Sequence, residues 1–185
     1  MTADAPRLSC RGLALSVAGR MLVSGLDLDV CAGECWVVIG PNGAGKTTLM
    51  TVLAGLRTAQ AGAIAYDGTP LAVLGPRERA RRRGFLPQDS VDHFPASVLE
   101  TALVGRHPHL SRWQWESAAD IDRARAALST FGLAGLDDRD ARTLSGGERR
   151  RLALAALVAQ DSGLLLLDEP SSHLDLGAQV AALDT

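Results

Sequence analysis

Lysine is nearly missing from this 185-residue chain: Lys46 is the only one among 19 Lys+Arg residues. Cysteine is scarce as well. Cys10, Cys31 and Cys35 are odd in number and form no C-x-x-C pair. That argues against a disulfide framework and fits a reduced compartment with buried thiols. Long apolar runs are absent. No stretch approaches the ~20 residues that span a bilayer, and no basic start followed by an apolar run marks a signal peptide. A surplus of charge of one sign is absent too. The formal net charge is −2, with 22% charged residues, so no global positive field favours nucleic acid. The basic cluster Arg77–Arg83 reads as a solvated helix face. No internal repeat, heptad run or low-complexity segment is visible. What remains is one cytosolic globular domain, long enough to bury roughly 70% of its unfolded surface.

The solitary lysine stands in Gly40-Pro41-Asn42-Gly43-Ala44-Gly45-Lys46-Thr47-Thr48. Arginine serves everywhere else, so this position demands a compact ammonium rather than a planar fork. The spacing G-x-x-x-x-G-K-[ST] supplies the reason. A loop of backbone N–H groups wraps phosphate oxygens, the helix N-terminus adds its partial positive charge, and the lysine reaches the outer phosphates. Thr47 offers a hydroxyl to Mg²⁺, a cation that takes oxygen ligands. The bland alternative is a glycine-rich turn capping a helix. Its surroundings favour the phosphate loop: Trp36-Val37-Val38-Ile39 reads as a buried strand before it, and Leu49 and Leu53 share a helical face after it, with Gly55 as a stop.

Around this centre the chain alternates in character. Leu13, Leu15 and Val17, then Leu26, Leu28 and Val30, predict two half-buried antiparallel strands. Residues 62–68 predict a short strand ending in the turn Asp67-Gly68. From about Pro87 to Ala159 the pattern is helical, and Leu164–Leu167 predicts a second buried parallel strand. The fold class is therefore α/β, with a mostly helical insertion.

Two further motifs carry chemistry. Asp168-Glu169-Pro170 follows the apolar Leu164–Leu167 run, where α/β sheets place their ligands. Taken alone the acidic pair is equally a helix cap, since Ser171 and Ser172 follow. With the phosphate loop upstream, Asp168 becomes a Mg²⁺ holder and Glu169 the group that orients or deprotonates water. Leu144-Ser145-Gly146-Gly147-Glu148 contains an S-x-x-E capping box ahead of a helix Arg149–Gln160. Two adjacent glycines are costly in a cap, about 1 kcal/mol each, unless another molecule's phosphate must approach the backbone.

Phosphate loop, L-S-G-G-E and L-L-L-L-D-E-P in this order resemble the nucleotide-binding subunit of an ABC transporter over essentially the whole chain. The resemblance implies a P-loop NTPase core of ABC type, with an N-terminal antiparallel β subdomain and an inserted α-helical subdomain. It implies a single nucleotide-binding domain over 1–185, divided into core and β subdomain (1–86 and 160–185) and helical subdomain (87–159). It implies ATP and Mg²⁺ as ligands, with Gln88 reaching Mg²⁺ and the γ-phosphate beside Thr47 and Asp168, and Glu169 and Gln88 as catalytic residues. Two copies would pair head to tail, each ATP lying between Gly40–Thr48 of one and Ser145, Gly146, Gly147 and Glu148 of the other. Asp175, in Ser171–Asp175, would be the D-loop residue at that interface.

The same resemblance implies transmembrane permease partners, a periplasmic or surface substrate-binding protein acting indirectly, and a peripheral place on the inner face of the membrane. Phe94–Val98, Gly105–Leu110 and Asp175-Leu176 are similar to importers of iron-siderophore chelates, haem and cobalamin. His107 and His109, around Pro108, read as surface residues rather than metal ligands. Two other readings stand beside this one: an ABC ATPase without transport duty, and an inactive nucleotide-binding remnant.

The chain departs from the family twice. No aromatic stands near Val17 and Ala18 to stack on adenine, which predicts weaker or less base-selective binding. The sequence ends at Thr185, before the helix, strand and switch histidine with which the family continues. The missing strand would lie between the phosphate-loop strand and Leu164–Leu167, and buried orphan backbone groups cost about 1–3 kcal/mol apiece. The expectation is that residues 1–185 alone are poorly folded or inactive as an ATPase, and that the natural protein is longer or its reading frame interrupted.

Overall fold

The computed structural model describes residues 5–88, 95–111 and 113–169. They form two compact units, one ending at Arg83 and one beginning at Gly84.

The first unit is built on an antiparallel sheet. β1 (Leu8–Val17) pairs with β2 (Arg20–Val30) and with β3 (Ala61–Tyr66), and β4 (Thr69–Pro70) closes the edge, giving the order β2-β1-β3-β4. Leu8, Cys10, Leu13 and Leu15 alternate inward and are fully buried. Leu26, Leu28 and Val30 on the edge strand are half-buried between exposed Asp27 and Asp29, the one-sided alternation read from sequence. The turn Asp67-Gly68 has φ of 47° and 72° and joins Tyr66 to Thr69. Two successive positive φ values make the hairpin turn whose twist suits the flanking strands. Helix α1 (Lys46–Leu53) buries Leu49, Val52 and Leu53 and stops at Gly55, φ 68°.

Helix α2 (Pro76–Arg82) holds most of the arginine cluster, and it is not merely a solvated face. Arg79 donates to the carbonyls of Leu74 and Gly55, Arg82 to Tyr66 O and Thr69, and Arg83 to Ala54 O at 2.7 Å. Guanidinium forks thus satisfy carbonyls at element ends, which local charge patterning does not reveal.

Trp36–Ile39 overturns an expectation. These residues form no strand, and Val37 and Ile39 are 75% and 89% exposed. A four-residue apolar run becomes a strand only through a ladder partner, and among the described residues none pairs with it. Cys31 and Cys35, in the same exposed stretch, are likewise not buried, whereas Cys10 is.

In the second unit, α3 (Val98–Leu103), α4 (Ala118–Thr130) and α5 (Gly146–Ala159) pack around Val98, Ala102, Ala124, Leu128, Leu152 and Ala155. Alanines at the contacts let the helices approach closely. Each of the three helices starts with a complete capping box, at Ser97/Glu100, Ser117/Asp120 and Ser145/Glu148. β5 (Arg83–Leu86) and β6 (Leu164–Leu167) are hydrogen-bonded neighbours. β6 is buried on one face only: Leu164 and Leu166 are inside while Leu165 is 44% exposed. A two-stranded sheet packs one face on the helices and leaves the other open, so the run is not buried throughout as its composition suggests.

Candidate functional site

In the first unit, the predicted phosphate loop turns through Gly43 (φ 77°) and Gly45 (φ 97°) into α1. A side chain at Gly45 would be strained by that φ and would meet Leu22 Cδ1 at 2.8 Å. Gly45 is the helix N-cap, and no side chain caps it among the described residues. The first-turn amides of Lys46, Thr47 and Thr48 therefore keep their donors for an anion. Lys46 folds back over the loop, Nζ donating to Gly40 O at 2.9 Å and Pro41 O at 3.1 Å. Those carbonyls hold the ammonium beside the loop. A phosphate oxygen would attract it by about 4 kcal/mol per close charge pair at an effective dielectric near 20. Pro41, Asn42, Gly43 and Thr47 are exposed, and Ala44 and Thr48 half-buried.

In the second unit, the residues predicted to act on the terminal phosphate come together at one guanidinium. Arg150, buried on α5, donates Nη1 to Pro87 O at 2.9 Å and Gln88 O at 3.3 Å. Its Nη2 donates to Asp168 O at 3.2 Å and Glu169 O at 2.9 Å. Asp168 N also donates to Leu86 O at 2.9 Å, extending the β5–β6 pairing to the site's edge. The side chains of Gln88 and Glu169 are exposed, and Glu169 adopts φ 48°. Asp168 is 3% exposed, and its Oδ2 has no hydrogen-bond partner among the described residues.

Sequence reasoning missed Arg150. The available signal was its helical spacing: Arg150, Leu154 and Leu157 recur at i, i+4 and i+7 on the buried face of α5. An arginine on such a face must find acceptors.

At the N-terminus of α5, Ser145 Oγ accepts from Glu148 N at 3.3 Å, and Ser145 N donates to Glu148 Oε2 at 2.8 Å. The Ser145 backbone N–H, and secondarily its hydroxyl, holds the Glu148 carboxyl below the usual carboxylate range. Gly146 has ordinary φ, and a Cβ there would meet nothing within 4 Å. Among the described residues nothing around it calls for glycine. The predicted D-loop residue Asp175, with Pro170–Leu174 and Phe94, lies outside the described residues.

Two of the histidines lie in a 3₁₀ segment (Val104–His109). His107 is exposed, whereas the half-buried His109 bonds Gln160 O through Nε2 at 2.7 Å. No group of three His, Cys, Asp or Glu that could hold a metal occurs among the described residues. None of the described helices is long and apolar enough to cross a membrane.

A family model described as ABC transporter matches residues 23–172. The hemin import ATP-binding protein HmuV of Myxococcus xanthus is 42% identical over 96% of this chain and 68% of its own length. The cobalamin import ATP-binding protein BtuD of Halobacterium salinarum is 37% identical over 96% of this chain and 44% of its own. Among solved structures, a transporter ascribed to the metal-chelate type in an inward-facing conformation superposes with a TM-score of 0.80 at 31% identity. That match covers 97% of this chain and 66% of the solved one. The chain thus spans about two thirds or less of these relatives' lengths.

Proposed function

The chain belongs to the ABC transporter family of ATP-binding ATPases, and from that premise we propose that it binds and hydrolyses ATP to power an importer of haem, cobalamin or an iron-siderophore chelate. The observation that carries the catalytic reading is Asp168. A buried carboxylate oxygen is ordinarily hydrogen-bonded, and Oδ2 of Asp168 is not paired among the described residues. An oxygen of that kind suits a hard cation, and the neighbouring Glu169 is exposed.

On this reading Gly40–Thr48 cradles the triphosphate through backbone N–H groups, and Lys46 exchanges its carbonyl contacts for phosphate oxygens. Thr47, Gln88 and Asp168 are the residues that would hold Mg²⁺, which neutralises charge on the phosphate oxygens when bound. Glu169 orients the attacking water and accepts its proton as the water oxygen bonds to the γ-phosphorus and the bridging oxygen leaves with ADP. Ser145, Gly146 and Gly147 of a second copy close over the nucleotide, Glu148 completes the tip, and Asp175 lies at the same interface. One isologous contact then makes two sites.

Transmembrane permease subunits and a substrate-binding protein complete the assembly, with this chain peripheral on the inner membrane face. The cargo would not touch it. Lys46→Ala and Glu169→Gln test the mechanism. The first should abolish ATP binding, and the second should bind ATP, hydrolyse it about 10²–10⁴-fold more slowly and accumulate as an ATP-bound dimer. Normal hydrolysis by the glutamine variant would remove the role given to Glu169.

A further inference from the structure

We propose that Arg150 is a positioning residue for ATP hydrolysis, a clasp that keeps the glutamine loop and the acidic loop in register and ties both to the tip of α5. The inference rests on the hydrolytic reading of Gln88 and Glu169 above.

A guanidinium 5% exposed has lost most of its hydration, so its donors must be met by acceptors of good geometry. Arg150 meets them with four backbone carbonyls, two from Pro87-Gln88 and two from Asp168-Glu169. Each pair is shared by one terminal nitrogen, so the planar fork sets the separation of the two loops. An ammonium on a flexible stem has no such plane.

All four carbonyls belong to the residues at issue or their immediate neighbours. Gln88 and Glu169 have exposed side chains, so their bearing depends on how their backbones are held. Glu169 sits at φ 48°, a region that non-glycine residues occupy only when their surroundings impose it. Its carbonyl accepts from Arg150 Nη2 at 2.9 Å.

Arg150 also has a fixed relation to Ser145. Arg150 lies five positions after Ser145, the N-cap of the same helix, about 7.5 Å of axial rise. Any displacement of α5 when the tip engages a second copy's nucleotide is therefore transmitted to the two loops by this side chain. Tip engagement and the bearing of Glu169 become one mechanical event.

The test compares Arg150→Ala and Arg150→Lys with the unaltered chain by ATP turnover, ATP binding and hydrogen exchange. A misplacement near 1 Å costs about 10²-fold in rate, so kcat should fall about 10- to 100-fold in Arg150→Ala. ATP affinity, set at the phosphate loop, should move less than about threefold. Arg150→Lys should resemble the alanine variant, and added guanidinium should restore part of the alanine variant's kcat. Amides of Leu86, Gln88, Asp168 and Glu169 should exchange faster while those of α3 and α4 keep their protection. A kcat within twofold of the unaltered chain would overturn the proposal. So would loss of protection across the whole helical core, which would make Arg150 an ordinary fold element. Glu169→Gln, run alongside, separates the two levels. If it hydrolyses ATP normally, the reading of Glu169 falls, and the clasp is then judged by exchange alone: unchanged exchange at both loops in Arg150→Ala sinks it.

Discussion

Arg106 and Asp120 form an ion pair with both side chains buried, Nε donating to Oδ1 at 2.9 Å. Arg106 Nη1 also donates to Ala159 O at 2.8 Å, and Ser117 Oγ donates to Asp120 Oδ2 at 2.6 Å. One carboxylate thus closes the capping box of α4 and anchors the guanidinium that fastens the 3₁₀ segment to the end of α5.

This arrangement makes stability depend on acid. The Ser117 hydroxyl, then Arg106, lowers the Asp120 carboxyl from 3.8 to about 2. A depressed folded-state value contributes stability above the unfolded value, lost as pH falls through the folded one. At 1.36 kcal/mol per unit the contribution is about 2 kcal/mol, present at neutral pH and lost between about pH 4 and pH 2. Asp120→Asn should be about 3–5 kcal/mol less stable at pH 7, because Arg106 is left buried and unpaired. The gap should narrow by about 2 kcal/mol toward pH 2. Melting curves of the two proteins that ran parallel across that range would contradict this.

Gly146 separates the needs of the fold from those of the assembly. It opens α5, and a Cβ there meets nothing within 4 Å. Gly146→Ala should leave thermal stability unchanged or raise it by up to about 1 kcal/mol, through reduced entropy of the unfolded chain. On the proposed reading it should nonetheless weaken ATP-dependent pairing, since the added methyl would stand where a second copy's phosphate is proposed to approach. Size-exclusion chromatography with ATP in a Glu169→Gln background reads the pairing. An alanine variant that dimerises as well as its parent would mean the glycine has no intermolecular role.

Gly105 shows the opposite case. A Cβ there would lie 2.0 Å from Ala156 O, a backbone atom that cannot swing away. Gly105→Ala should cost about 1–3 kcal/mol as the 3₁₀ segment is pushed off α5, read by urea denaturation. Adding Ala156→Gly should not restore stability, because the obstructing atom is the carbonyl itself. Full recovery in the double variant would show that a side-chain clash had been the cause.

What was legible in the sequence was what local chemistry decides. The Asp67-Gly68 turn, the Ser145/Glu148 cap, the alternation of β1 and β2 and the buried face of α1 each follow from a few neighbouring residues. Trp36–Ile39 misled because strand formation is a property of a pair, and apolar composition does not say which partner is present. The Arg77–Arg83 cluster misled, and Arg150 went unread, because a guanidinium's partners are carbonyls distant in sequence. Gln88, Asp168 and Glu169 were each singled out from sequence, and their backbones meet at one guanidinium. What joins them was not legible, since Arg150 lies 62 positions from Gln88.

Asp168 offers the sharpest check on the proposed chemistry. Its buried Oδ2 has no hydrogen-bond partner among the described residues, and an ionised carboxylate in that state costs stability unless a cation meets it. Asp168→Asn removes the charge while keeping the shape. In chelator, with no divalent ion, the asparagine variant should therefore melt at or above the temperature of the unaltered chain. With Mg²⁺ and ATP the order should reverse. A ligand at about 100 times its Kd stabilises the folded state by about 2.7 kcal/mol, and the variant should lose most of the part that depends on Mg²⁺. Thermal melts in chelator, in ATP with chelator, and in ATP with Mg²⁺ distinguish the cases. If the variant gained as much from Mg²⁺ as the unaltered chain, Asp168 would not be a metal-holding residue, and its solitary oxygen would need another explanation.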